Sequence, residues 1–457
     1  MGDGQALKLV NNVIDAACRL ATLEVVAMGR KMGLSLATLT EAINMSTAAS
    51  RISQVVLPSI LEGRAPVSAP LLAMLEDVDS AISLGMQSGA SMPIASIARG
   101  LLQIGVNTLG EGAQVDHIAR LVESMAGTRL SDESGSAPAR SGTESPSVSS
   151  ELVVGYVGLG AMGAALARRL MLSRKVHAFD ARLQVVHELE AEGAIAAADL
   201  PSLARACDVI MVCVPTSAVV REVLFGKNGL SDGLAPGKII VDQTTGDPAA
   251  TRSMAAELQA LGVALVDAPV SGGPSGAAAG TIATMCSGPS DAYARVRPVL
   301  ESVSPNIVYC GATGNAHIVK LVKNALGACN RLITYEAVAM GVKNGLRLED
   351  IANVVNHGSG WNKTFQRIVP ALASGAETAK LRLELMVKDL TLASRLGMSC
   401  GAPMLIANAV RSMVEAASNE LGGDANIDEL AGVFEARAGI KFADARFSAP
   451  GETASAD

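Results

Sequence analysis

Residues 155–170 read GYVGLGAMGAALARRL. The apolar run LVVGYVG (152–158) leads into this stretch, and an alanine- and leucine-rich segment with helical spacing leaves it. Gly158, Gly160 and Gly163 therefore stand in a G-x-G-x-x-G frame between a strand and a helix. The first glycine makes the tight turn, the second lets backbone approach a pyrophosphate, and the third lets helix and sheet pack closely. Met162 lies inside the turn and joins the glycines as a candidate cofactor contact. Asp180 closes the next apolar run, VHAFD, 22 residues past Gly158. A carboxylate there suits the ribose 2′-hydroxyl of NAD and repels the 2′-phosphate of NADP. Arg182 beside it keeps NADP within reach.

Working outward, four more β-branched runs follow: DVIMVCVP (208–215), KIIVDQ (238–243), VALVDAP (263–269) and IATMCS (282–287). Helical stretches separate them. Strand and helix taking turns predicts an α/β domain with a mostly parallel sheet. From about residue 314 to 440 the pattern is helical throughout. The first 127 residues share that pattern, and a gap-free shift of 312 positions superimposes the two. TLEVVAMGRKMGL (22–34) then lies on TYEAVAMGVKNGL (334–346), GMQSGASMPIASIA (85–98) on GMSCGAPMLIANAV (397–410), and Pro58 on Pro370. A frame held that long marks a duplication. The expected order is a first helical copy over 1–130, a Ser/Gly/Pro-rich disordered linker over 131–150, and a nucleotide-binding domain over 151–312. A second helical domain over 313–446 and a loose tail over 447–457 complete it.

Composition narrows the functional classes. With 37 Lys and Arg against 44 Asp and Glu, the net charge of −7 argues against a nucleic-acid or anionic-membrane binder. Residues are 49% hydrophobic but only 2% aromatic, so the cores are aliphatic. The longest apolar-leaning run, after Asp267, is broken by Gly, Pro and Ser and does not read as a membrane span. The seven cysteines are scattered and show no Cys-x-x-Cys pair, and the five histidines form no H-E-x-x-H motif. Free thiols and an N-terminus without a secretory pattern predict a cytoplasmic protein without a resident metal.

Two further stretches carry possible chemistry. In DAPVSGGPSGAAAG (267–280), Ser271, Gly272 and Gly273 would present consecutive backbone N–H groups with a hydroxyl alongside. That arrangement is a cradle for a small carboxylate or simply a flexible turn. In GNAHIVKLVKN (314–324), Lys320, Lys323, Asn324 and Gly327 form a polar helical stripe opposite Ile318, Leu321, Val322 and Ala325. Such a stripe is either a solvated face or the lining of a cleft in which a lysine acts as general base.

The motifs GLGAMG, VDQTTGDP, DAPVSGGPSGAAAGTIATM, G-x5-K-x3-N and MVKDLTLA occur in one order and spacing. Together they resemble the 3-hydroxyisobutyrate dehydrogenase family of β-hydroxyacid dehydrogenases, which includes L-threonate dehydrogenase. The likeness spans 152–440, and the first 127 residues resemble the family's helical domain alone. It implies a Rossmann domain joined to an all-α domain of the 6-phosphogluconate dehydrogenase type, here present twice. It also implies NAD(P)-linked oxidation of a hydroxyl β to a carboxylate. By residue, the resemblance makes Lys320 the catalytic lysine and Asn324 the asparagine that positions substrate. Ser271, Gly272 and Gly273 become the carboxylate cradle, and Trp361 either lines the substrate pocket or anchors an interface. Val214, Pro215, Thr245 and Lys388 become dinucleotide contacts. REVLFGKNGL (221–230) leans towards the threonate-type members.

Two departures stand out. The family commonly carries Asn-Asn where this chain has Lys323-Asn324, which puts a second ammonium beside Lys320 or out in solvent. Ala316 replaces a loop glycine. The first copy keeps Lys8, Asn11 and Asn12 but has Glu76 at the position of Lys388. A carboxylate there would repel a dinucleotide phosphate. This copy is expected to stand in for a partner's helical domain, making a pseudo-dimer within one chain or a unit of a homo-oligomer. The alternatives are a fragment of a longer tandem enzyme and a non-catalytic dinucleotide-binding module.

Overall fold

The computed structural model describes residues 3–64, 69–131 and 152–444. The expected linker beyond Ser131 and the expected tail lie outside them. The chain divides into two compact units. One comprises Met1–Leu36, Thr47–Glu133 and Val322–Asp457; the other comprises Ala37–Ser46 and Ser134–Leu321.

The second unit is built on a parallel six-stranded sheet. Its strands are β1 (Val154–Val157), β2 (Val176–Phe179), β3 (Ile195–Ala196), β4 (Val209–Val212), β5 (Ile239–Asp242) and β6 (Ala264–Asp267), in the order β3-β2-β1-β4-β5-β6. This is a Rossmann sheet, and its order reverses between β1 and β4. Strand alternation sends side chains to both faces. Tyr156, Met211 and Val241 enter one buried cluster, while Val157, Ile210, Val212 and Ile240 enter another. Both faces are therefore apolar, which is why the strands read as continuous hydrophobic runs. Helix starts are set locally: Thr216 caps Ser217–Phe225, and Asp247 followed by Pro248 starts Pro248–Ala260. A second sheet joins β7 (Val270–Ser271), β8 (Ala283–Cys286) and β9 (Asn306–Tyr309). β7 runs antiparallel and β9 parallel to β8.

The other unit holds both helical copies, and the sequence repeat reappears as geometry. Arg19 pairs with Asp116 at 2.5 Å, and Arg331 pairs with Asp428 at 2.5 Å, 312 positions on. The Lys31 ammonium donates to Ala126 O at 2.6 Å, as Lys343 does to Ala438 O at 2.6 Å. Ser50 forms an antiparallel bridge with Asn362, its own counterpart in the repeat. Around it, the Arg51 N–H donates to Trp361 O at 3.0 Å and the Lys363 N–H donates to Ala49 O at 2.8 Å. A residue meets its equivalent in this reciprocal way only on a two-fold axis, so the two copies are related by a pseudo-two-fold.

A second reciprocal pair ties the copies together. Glu24, on the helix Asp3–Lys31, accepts the Leu405 and Ile406 N–H groups at 3.0 Å each. Glu336, on the helix Asn315–Lys343, accepts the Ile94 and Ala95 N–H groups at 3.0 and 2.7 Å. Each carboxylate thus caps the opposite copy's helix N-terminus, where N–H groups lack intrahelical partners. Burial pushes the Glu24 carboxyl up to about 7 and the Glu336 carboxyl up to about 8, against the pull of those N–H bonds. A carboxyl raised in the fold contributes stability below its ordinary range and loses it as pH climbs through the raised value. Thermal unfolding of the helical unit is therefore expected to fall between about pH 5 and pH 9. The loss is on the order of a few kcal/mol, and Glu24→Gln with Glu336→Gln flattens the profile. A melting temperature unchanged over that range in the parent contradicts this.

Candidate active site

The glycine turn sits at the carboxyl end of β1, beside the point where strand order reverses. Gly158 has φ of +92°, and a Cβ there would stand 2.3 Å from Cys213 O. A Cβ on Gly163 would stand 1.9 Å from Gly158 O. These two glycines are required by the fold. Gly160, just before the helix Ala161–Met171, differs: a Cβ there would meet nothing within 4 Å. The space over the helix N-terminus is open, as a pyrophosphate requires. Gly160→Val is therefore expected to leave the melting temperature within about 2 °C while weakening NAD binding at least about tenfold. Gly163→Val is expected to lower both. Equal effects of the two substitutions on melting would contradict this division.

Asp180 follows β2, and its Oδ2 accepts the Leu159 N–H at 2.7 Å. Its Oδ1 accepts the Arg182 backbone N–H at 2.9 Å and Nε at 3.1 Å. Burial acts to raise this carboxyl, but Arg182 and the two backbone N–H groups hold it below the usual carboxylate range. An anion is thus fixed against the glycine turn. Val214 and Pro215 follow β4 and Thr245 follows β5, so these candidates also lie at carboxyl ends of strands. The Val214 N–H donates to Thr244 Oγ1 at 3.3 Å. Met162 is half-buried against the sheet core. The residues present fit a dinucleotide.

Lys320 belongs to the same unit. It is 7% exposed, and its Nζ donates to Val270 O at 2.7 Å. Val270 and Ser271 form β7, so the lysine nitrogen is fixed at the strand that presents Ser271. Gly272 follows with φ of +141°, and a Cβ on it would press within 2.9 Å of Ile282 Cγ2. The lysine and the Ser-Gly-Gly loop are thereby brought together.

Sequence reading missed what holds this helix in place. Asp267, at the end of β6, accepts the Gly314 N–H at 2.9 Å and the His317 N–H at 3.3 Å. Ser287 Oγ accepts the Ala316 N–H at 2.9 Å. The first turn of the lysine helix is thus capped by the sheet edge. Burial pushes the Asp267 carboxyl up, with His317, the Gly314 N–H and Ser287 pulling the other way. The only signal in sequence was an aspartate closing each of the runs KIIVDQ and VALVDAP.

The remaining candidates lie in the helical unit. The Asn324 side-chain amide donates to Asp389 Oδ2 at 2.5 Å, and Lys388 Nζ lies 3.1 Å from Asp389 Oδ1. Lys323 Nζ donates to Asn324 Oδ1 at 3.2 Å. The first copy shows what that lysine replaces. There the Asn11 amide donates to Asn12 Oδ1 at 2.9 Å, and Asn12 and Lys8 both donate to Asp77 at 2.6 and 2.9 Å. Lysine at 323 thus preserves a donor to its neighbour. Trp361 lies by the pseudo-two-fold axis and lines a cleft of about 200 Å³ with Arg51, Gln54, Asn356 and His357. It touches both copies, which is the place of an interface residue.

Comparison with known proteins agrees with this geometry. The profile for the NAD binding domain of 6-phosphogluconate dehydrogenase matches residues 153–311. The profile for NAD-binding of NADP-dependent 3-hydroxyisobutyrate dehydrogenase matches twice, over residues 2–122 and 314–434. The chain is 32% identical over 270 residues to the mitochondrial 3-hydroxyisobutyrate dehydrogenase of Mus musculus, covering 57% of this chain and 81% of that one. It is 32% identical over 239 residues to the L-threonate dehydrogenase of Cupriavidus necator, covering 52% and 80%. The crystal structure of 3-hydroxyisobutyrate dehydrogenase from Salmonella typhimurium superimposes with a TM-score of 0.56 at 30% identity, over 62% of this chain and 100% of that one. Sheet, glycine turn and matches define an NAD(P)-dependent oxidoreductase acting on CH–OH groups of small hydroxy acids. The chain belongs to the 3-hydroxyisobutyrate dehydrogenase family, with that family's helical domain repeated ahead of the Rossmann domain. Among the described residues, no helix is long and apolar enough to cross a membrane.

Proposed function

We propose that the protein is an NAD-linked dehydrogenase oxidising the β-hydroxyl of a small hydroxy acid of the 3-hydroxyisobutyrate, threonate or glycerate kind. The observation that carries this reading is the Lys320 side-chain nitrogen held 2.7 Å from Val270 O, directly beside Ser271. Gly158, Gly160, Met162, Gly163, Asp180, Val214, Pro215, Thr245 and Lys388 hold the dinucleotide. Bound there, the nicotinamide supplies the two-electron hydride acceptor. Ser271 and the N–H groups of Gly272 and Gly273 receive the substrate carboxylate. Lys320 accepts the proton of the hydroxyl being oxidised and returns it in the reverse direction. Asn324, its amide oriented by Asp389 and Lys323, positions the substrate one helical turn beyond the lysine. Residues 151–312 are assigned to the cofactor and 313–446 to the substrate. Residues 1–130 take the place of a partner's helical domain, which makes the chain its own pseudo-dimer.

The test is reduced-nicotinamide formation from 3-hydroxyisobutyrate, threonate and glycerate, each with NAD and with NADP. Turnover of at least one acid, faster with NAD, is expected. The exposed Glu76 at the first copy's Lys388 position favours one other reading, a dinucleotide-binding assembly module. Tight NAD binding with no turnover of any acid would support that instead.

A further inference from the structure

We propose that His317 is a positioning residue that transmits the state of the cofactor-side strand ends to the helix carrying Lys320. The ring is fully buried, in the first turn of the helix Asn315–Lys343 and three residues before Lys320. Its Nδ1 accepts the Gly246 N–H at 3.2 Å. A neutral imidazole that accepts at one nitrogen carries its proton on the other. Nε2 lies 3.5 Å from Asp242 Oδ2. The same residue's backbone N–H donates to Asp267. Asp242 and Asp267 end β5 and β6, are paired in register, and are both fully buried.

Gly246 lies in the loop that carries Thr245, and this loop is packed tightly. A Cβ on Gly246 would stand 2.6 Å from Ser217 Oγ and 3.3 Å from His317 Cε1. Thr244 in the same loop accepts the Val214 N–H, and the Asp247 N–H donates to Ser217 Oγ at 2.8 Å. Val214, Thr245 and the first turn of the lysine helix are thus connected through one imidazole with no solvent around it. Close-packed interiors transmit displacement instead of absorbing it. A shift of the 243–247 loop on cofactor binding moves the ring, and the ring moves the helix turn that aims Lys320. With no exposed surface, the imidazole touches neither substrate nor cofactor, so its role is exerted through Lys320. The inference rests on the reading of Lys320 as the base.

The test uses the full chain with NAD as the probe and amide hydrogen exchange as the readout. In the parent, NAD is expected to slow exchange in both the 243–247 loop and residues 314–321. In His317→Leu the loop remains protected while the effect on 314–321 is lost; His317→Gln, which can still accept and donate, restores it. Should the leucine protein fail to fold, His317→Asn, too short to reach both Gly246 and Asp242, replaces it. Turnover follows the same order, with kcat of the leucine or asparagine variant falling about 10- to 100-fold and NAD affinity changing less than about threefold. Protection of 314–321 that persists in the leucine or asparagine variant overturns the proposal, as does a parent in which NAD protects the loop alone. Lys320→Ala is measured alongside. If it turns over like the parent, the reading of the base has failed. If it is inactive while the leucine or asparagine variant keeps parental kcat, only the role of His317 has failed.

Discussion

Lys320→Ala is expected to lower kcat on the preferred hydroxy acid by about 10²- to 10⁴-fold, the range associated with removing a positioned general base. NAD affinity should change by no more than a few-fold, because the glycine turn and Asp180 are untouched. The chain holds Lys320 Nζ on Val270 O with only 7% exposure, so the side chain is fixed before any ligand arrives. Fixed geometry of this kind lets one amine account for several kcal/mol of barrier. Small primary amines added to the alanine variant should restore part of the rate, which loss of packing alone would not allow. A variant retaining a tenth or more of parental kcat would remove Lys320 from the chemistry.

The second large effect concerns stability. Glu24→Ala and Glu336→Ala are each expected to destabilise the helical unit by about 2–4 kcal/mol. Glu336→Ala strands the buried Ile94 and Ala95 N–H groups, Glu24→Ala strands the buried Ile406 N–H and the part-buried Leu405 N–H, and each empties the space the side chain filled. Glu336 is 2% and Glu24 6% exposed, so water cannot replace the lost acceptors without the junction opening. Their N–H partners belong to the opposite copy, so the loss falls on the junction between copies. The double variant should unfold at markedly lower denaturant than either single one, because the two sites are related by the pseudo-two-fold. A loss in the double variant larger than the sum of the two single losses would show as a coupling energy in a double-mutant cycle. Single variants that unfold like the parent would mean that these contacts do not hold the copies together.

The sheet was largely legible because a strand buried on both faces writes a continuous apolar run. All six runs marked in the sequence contain strands, from Val154–Val157 to Ala283–Cys286. β3 and β7, two residues each, are too short to leave a pattern. β9 was hidden because Asn306 is exposed and its neighbour Ile307 half-buried. The duplication was legible because both copies keep the same helical frame, and the shared glutamate of TLEVVAMG and TYEAVAMG proved to be the clamp residue. Its role was not readable, since a helical glutamate normally faces water and only the opposite copy's helix N-terminus draws it inward. The support beneath Lys320 was hidden for a related reason. His317 reaches Gly246 and Asp242, and Asp267 reaches back to Gly314, across tens of residues that only the fold closes. Trp361, read as either pocket or interface, lies against the first copy.

The most direct measurement follows a single hydrogen. The full chain is incubated with NAD and with 3-hydroxyisobutyrate, threonate or glycerate deuterated at the carbon bearing the β-hydroxyl, and the nicotinamide is then weighed by mass spectrometry. One deuterium on the reduced nicotinamide from at least one acid, abolished in Lys320→Ala, is the expected outcome. Bound NAD that acquires no deuterium from any of the three, or label transfer that persists without the lysine, would contradict it.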